Sequence, residues 1–80
     1  MNKKELFWNS SPIGIIEDFQ INNFKMCGTW NPYRSLSHLK FVDSLLANPS
    51  PRIFIGSSNS ELNGTLTRIK DGIIEINLKD

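Results

Sequence analysis

The stretch from residue 13 to residue 30 constrains the fold more than any other part of this chain. Ile13-Gly14-Ile15-Ile16-Glu17-Asp18-Phe19-Gln20-Ile21 and Phe24-Lys25-Met26-Cys27-Gly28-Thr29-Trp30 flank Asn22-Asn23. Asparagine tolerates the left-handed backbone angles that a two-residue hairpin turn requires, so the segment reads as two antiparallel strands joined at Asn22-Asn23. That loop pairs Ile21 with Phe24, Phe19 with Met26, Glu17 with Gly28 and Ile15 with Trp30. Alternate strand residues share a face, so all four pairs lie together. The face is apolar except for Glu17, set opposite a residue without a side chain. A carboxylate placed inward must be protonated or hydrogen-bonded, which makes Glu17 the first candidate site residue.

A helix is expected over 36–47, with Ser35 as its cap. At ~100° per residue, Leu39, Phe41, Val42, Leu45 and Leu46 fall in an arc of roughly 160°, with Lys40, Asp43 and Ser44 outside it. Leu39, Val42 and Leu46 are therefore expected to be buried against the sheet, with His38 in the middle of the arc. Asn48-Pro49-Ser50-Pro51 ends the helix, because proline cannot continue it and disfavours helical angles in the residue before.

Glu5-Leu6-Phe7-Trp8 reads as a short first strand, closed by the turn formers Asn9-Ser10-Ser11-Pro12. After the helix comes a three-stranded meander. A four-residue loop at Ser57-Ser58-Asn59-Ser60 pairs Ile55 with Leu62. The last hairpin turns at Asp71-Gly72 in one of two registers. A two-residue loop pairs Arg68 with Glu75; a three-residue loop pairs Leu66 with Ile76 and Gly64 with Leu78. The second is preferred, because it gathers Ile53, Ile55, Leu62, Leu66, Ile74, Ile76 and Leu78 on one face. The expected fold class is α+β, a curved antiparallel sheet of five or six strands or a partly closed barrel, covered by one helix in the order β(β)βαβββ. Ile16, Phe54, Ile69 and Ile73 are left on the opposite face.

Eighty residues fit one small domain spanning 1–80, which buries only about two-thirds of its unfolded surface. Nine Lys and Arg against eight Asp and Glu leave a net charge of +1, so no field exists to draw in nucleic acid. No apolar run has membrane-spanning length and the amino terminus lacks a signal-peptide core, so a cytoplasmic protein that binds neither nucleic acid nor membrane is expected. One cysteine, Cys27, rules out an internal disulfide, and with a single histidine it gives no metal site. Neither metal nor cofactor is expected.

Glu17 and His38 form the best candidate pair, since both are expected to point inward and Gly28 leaves space between them. An acid–imidazole pair suits general acid–base work, although a hydrogen-bonded core pair is the commoner outcome. Cys27 falls opposite Asp18, and a carboxylate beside a thiol suppresses the nucleophilic thiolate. Trp30, Tyr33 and Arg34 gather at the junction between hairpin and helix with the composition of a protein-binding hot spot. The chain carries no phosphate-binding glycine loop and no nucleophile elbow. The leading expectation is a non-enzymatic protein-interaction module that binds an unidentified protein through exposed strand edges and the junction at 30–34. The alternative is a small-molecule or anion-binding domain, catalytic or not, with a pocket around Glu17 and His38. Self-association through Phe54, Ile69 and Ile73 as a homodimer is a further expectation.

Overall fold

The computed structural model describes residues 2–78. Strands β1 (Lys3–Trp8), β2 (Ser11–Asn22) and β3 (Lys25–Pro32) precede helix α1 (Leu36–Ser44), and β4 (Arg52–Ile55), β5 (Asn63–Lys70) and β6 (Ile73–Asn77) follow it. All neighbouring strands are antiparallel, and they close into a barrel in the order β1-β2-β3-β6-β5-β4. Closure comes from β1 pairing with β4 at Leu6–Ile55 and Phe7–Phe54, and from β3 pairing with β6. The expected α+β class, with a curved antiparallel sheet and one helix, is the one observed. Among the described residues every strand has a neighbour on both sides over at least part of its length, so no whole strand is left as the exposed edge expected for a binding surface.

Three hairpins share one construction, a two-residue turn followed by a bulge. The turns are Asn9-Ser10, Asn23-Phe24 and Asp71-Gly72, and all six residues have positive φ, from 53° to 76°. Such turns match the right-handed twist of the flanking strands. In the central hairpin the loop is Asn23-Phe24, one residue later than the sequence suggests. Asn22 pairs with Lys25, Ile21 with Met26 and Gln20 with Cys27. A bulge then intervenes, with Asp18 at φ 49°, and the register resumes as Glu17 with Thr29, Ile16 with Trp30 and Ile15 with Asn31. Phe19 and Met26 are therefore not cross-strand partners. The one extra residue of the bulge exchanges the two faces of β2 beyond it, so Ile16 is fully buried and Glu17 faces outward, the reverse of the expectation. Gly28 faces the bulge, where an added Cβ would lie 2.8 Å from the Glu17 carbonyl oxygen and 2.9 Å from Phe19 Cα. The missing side chain thus makes room for backbone, not for a carboxylate.

The last hairpin uses both candidate registers. Arg68 pairs with Glu75 next to the two-residue turn; a bulge before Arg68 then brings Leu66 opposite Ile76. The preferred apolar face forms as a result: Ile53, Ile55, Leu66, Ile74 and Ile76 are buried, with Leu62 and Leu78 packed at its margin.

Helix α1 begins as expected, with Ser35 Oγ accepting from the His38 backbone N–H at 3.2 Å. Its orientation is not the expected one. Phe41 is fully buried and joins Leu6, Ile13, Ile16 and Trp30 in the core, with its ring 5.8 Å from that of Trp8 in an edge-to-face contact. Leu39, Val42 and Leu46, expected to be buried, are 63%, 46% and 93% exposed. The strands already fill the barrel interior with their own side chains, and the helix, packed against β2, adds one aromatic residue to the core. The largest side chain takes that place, and the helix turns to suit it.

Candidate functional site

Rotation about Phe41 gives α1 an apolar outer face. At ~100° per residue, Leu36, Leu39, Val42 and Leu46 fall within roughly 120°, centred nearly opposite Phe41. Leu36 is 66% exposed, and Leu46 lies just past the helix, in a turn held by the Asn48 N–H donating to the Ser44 carbonyl at 2.9 Å. Four large aliphatic side chains in one stripe differ from the scattered exposed apolar residues of an ordinary surface. The sequence carried a signal for them: large apolar residues span roughly 220° of this helix, more than a thin core can take.

The stripe runs into a groove of about 570 Å³ lined by Pro32, Tyr33, Arg34, Ser35, Leu36, His38 and Leu39. Tyr33, Arg34 and His38, three of the residues singled out from the sequence, meet in this groove. Tyr33 is fixed there because its hydroxyl donates to Glu5 Oε2 at 2.6 Å, a bond between the junction and β1. Acceptance by Glu5, then partial burial and the negative charge of Glu5, raise the Tyr33 pKa above the ordinary 10.0. The hydroxyl therefore stays neutral and oriented. His38 is half-buried, with its ring 6.4 Å from that of Trp30 and 6.3 Å from that of Phe41. Its aromatic neighbours make it a wall of the groove.

Trp30 is only 8% exposed and belongs to the core, touching the site through His38. Its ring crosses β2 at Gly14, where an added Cβ would come within 2.7 Å of Trp30 Cη2. Glu17 lies elsewhere, on the outer face, where its Oε1 accepts from Asn31 Nδ2 at 2.7 Å. The expected Glu17–His38 pair does not form, and Glu17 does not line the groove. Cys27 is opposite Gln20 on β2 and Glu75 on β6, not opposite Asp18. Glu75 is itself 3.5 Å from Arg68. Among the described residues, no three His, Cys, Asp or Glu side chains gather as a metal site. No helix among them is long and apolar enough to cross a membrane.

Chemically, the site offers apolar contact area, an oriented phenol, an aromatic wall with an imidazole and one guanidinium. That inventory suits recognition of an apolar polypeptide face with a polar margin. No family model, no curated protein and no solved structure matches the chain, so the geometry of this site carries the functional reading alone.

Proposed function

We propose that this is a non-enzymatic interaction module of the cytoplasm, which docks an apolar face of another polypeptide on the outer side of α1 and in the adjoining groove. One observation carries the reading: Leu36, Leu39, Val42 and Leu46 are all exposed and fall on one side of α1, away from buried Phe41. Their burial on docking supplies the driving force, while Tyr33 and Arg34 provide a polar margin for orientation. Closure of the barrel directs docking to side-chain surfaces instead of strand edges. This replaces the sequence expectation of edge binding and keeps the junction at 30–34 as part of the surface.

Photo-crosslinking in intact cells tests the reading. A photoreactive residue at position 39 or 46 is expected to give protein adducts in high yield, and the same residue at exposed Thr67 on β5 to give few. Equal yields at all three positions would overturn it.

The alternative reading, a small-molecule or anion site, retains the groove but loses Glu17. Arg34, Tyr33 and His38 support it, and NMR titration with small anions reports on it directly. Saturable shifts confined to residues 33–39 would favour it over docking.

A further inference from the structure

The outer face of α1 is its own complement. Leu36 and Leu46, the outermost members of the stripe, are equally spaced about position 41, and Leu39 and Val42 lie between them. When two such helices run antiparallel about a two-fold axis at position 41, Leu36 of each meets Leu46 of the other, and Leu39 meets Val42. The charged residues of the helix follow the same symmetry. Asp43 falls at the edge of the stripe, between Leu39 and Leu36, and Lys40 about 40° beyond Leu36 on the same side; a two-fold axis perpendicular to antiparallel helices brings like sides together. At a rise of ~1.5 Å per residue, Lys40 stands ~1.5 Å from the axis on one side and Asp43 ~3 Å on the other. Each lysine of the pair is thus nearly level with Asp43 of the second copy, and the contact occurs twice.

From this complementarity we infer that the polypeptide occupying α1 is a second copy of the chain, in an isologous antiparallel helix pair with reciprocal Lys40–Asp43 contacts. The inference rests on the docking reading above and names its partner. The groove adds a second element. In this arrangement Leu46 of one copy, the most exposed aliphatic side chain of the stripe at 93%, reaches the helix amino-terminal end of the other. There Tyr33, Leu36 and Leu39 line the groove with apolar surface. A protruding side chain and a matching recess at opposite ends of one stripe fit a two-fold contact. The expected dimer therefore uses α1, not Phe54, Ile69 and Ile73. Of these three, only Ile73 is exposed.

Charge-reversal variants of the full chain, followed by sedimentation equilibrium, test the inference. Lys40→Glu and Asp43→Lys each place like charges in both reciprocal contacts, so each is expected to weaken self-association about tenfold. In an equimolar mixture of the two variants, every reciprocal contact joins opposite charges again. A one-to-one heterodimer is expected there, of affinity within about threefold of the unaltered homodimer. Lys40 and Asp43 are also neighbours along their own helix, but effects within one chain cannot produce rescue on mixing. Circular dichroism of each variant confirms that the fold persists, and Leu39→Asp is expected to be monomeric. A mixture that associates no more tightly than its separate variants would overturn the inference. A monomeric unaltered chain whose position-39 adducts contain only a different protein would overturn the second copy as partner and leave the docking reading standing. A monomeric chain with no position-39 adducts would remove both.

Discussion

Truncating Phe41 to alanine tests the orientation of α1, on which the proposed surface depends. Phe41 is fully buried, touches Trp8 edge to face and stacks obliquely on His38. Removing a buried phenylalanine costs about 3–5 kcal/mol, and loss of an aromatic pair accounts for about 0.5–1.5 kcal/mol. Total stability for a chain of this length is about 4–12 kcal/mol, so Phe41→Ala should leave the fold marginal. Leu46→Ala is the control. At 93% exposure it removes almost no buried surface, and its cost in the monomer should be below about 0.5 kcal/mol. Were Leu46 buried as the sequence suggests, its truncation would cost about 2–5 kcal/mol, so the pair of variants separates the two helix orientations cleanly. Urea denaturation of both variants, at protein concentrations low enough to keep the chain monomeric, provides the measurement. A loss above about 2 kcal/mol for Leu46→Ala, with less than about 1 kcal/mol for Phe41→Ala, would refute the orientation and with it the docking face.

Other positions respond in ways that follow from their surroundings. Gly28→Ala should cost about 1–3 kcal/mol, because the new methyl group would press on Ile16 Cγ1 and the Glu17 carbonyl, each 2.8 Å away; an unchanged urea midpoint would contradict the bulge. Phe24→Gly should stabilise by about 1 kcal/mol, since Phe24 holds φ 67° at an exposed turn, and a lower midpoint would show that its ring packs on the barrel. Glu17→Gln should change stability by less than about 0.5 kcal/mol, because the amide oxygen still accepts from Asn31, and a larger loss would restore a structural role for the charge. The Tyr33–Glu5 bond favours the protonated phenol and raises its pKa in the folded state, so its contribution is complete below the unfolded value near 10.0 and is lost as pH rises through the folded one. Denaturation at about pH 9 and pH 11 should show an alkaline loss that Tyr33→Phe abolishes, and persistence of the loss in that variant would place its cause elsewhere.

Much of the architecture was legible in the residues. Alternation and turn formers located the strands, Ser35 marked the start of the helix, and Pro49 and Pro51 marked its limit. Placement of single side chains was less legible, and the reason lies in the bulges. Moving the central loop from Asn22-Asn23 to Asn23-Phe24 left each residue on its expected face, and the one-residue bulge at Asp18 then exchanged the faces of Ile16 and Glu17. Few sequence signals announce a bulge at an aspartate, since aspartate tolerates the left-handed angle without demanding it. In the last hairpin, by contrast, both registers were readable, and the bulge explains why each had support. The helix was misjudged for a different reason. Hydrophobic spacing indicates which residues share a side, but with Leu36, Leu39, Phe41, Val42, Leu45 and Leu46 spanning roughly 220° of α1, packing room decides which part turns inward. Of the candidate site, Tyr33 and Arg34 were found by position at the junction, and His38 through its place on the helix and an expected pairing with Glu17 that does not form. The stripe they adjoin emerged only once Phe41 was seen to occupy the core.

Hydroxyl-radical footprinting of the full chain, dilute and concentrated, read by peptide mass spectrometry, bears most directly on the docking face. The account predicts heavy labelling of Leu36, Leu39 and Leu46 in dilute protein and protection of the same three side chains at high concentration, with Phe41 unlabelled in both. Weak labelling of Leu39 and Leu46 in the dilute chain would contradict the orientation of α1, and equal labelling at both concentrations would contradict its coverage by a second copy.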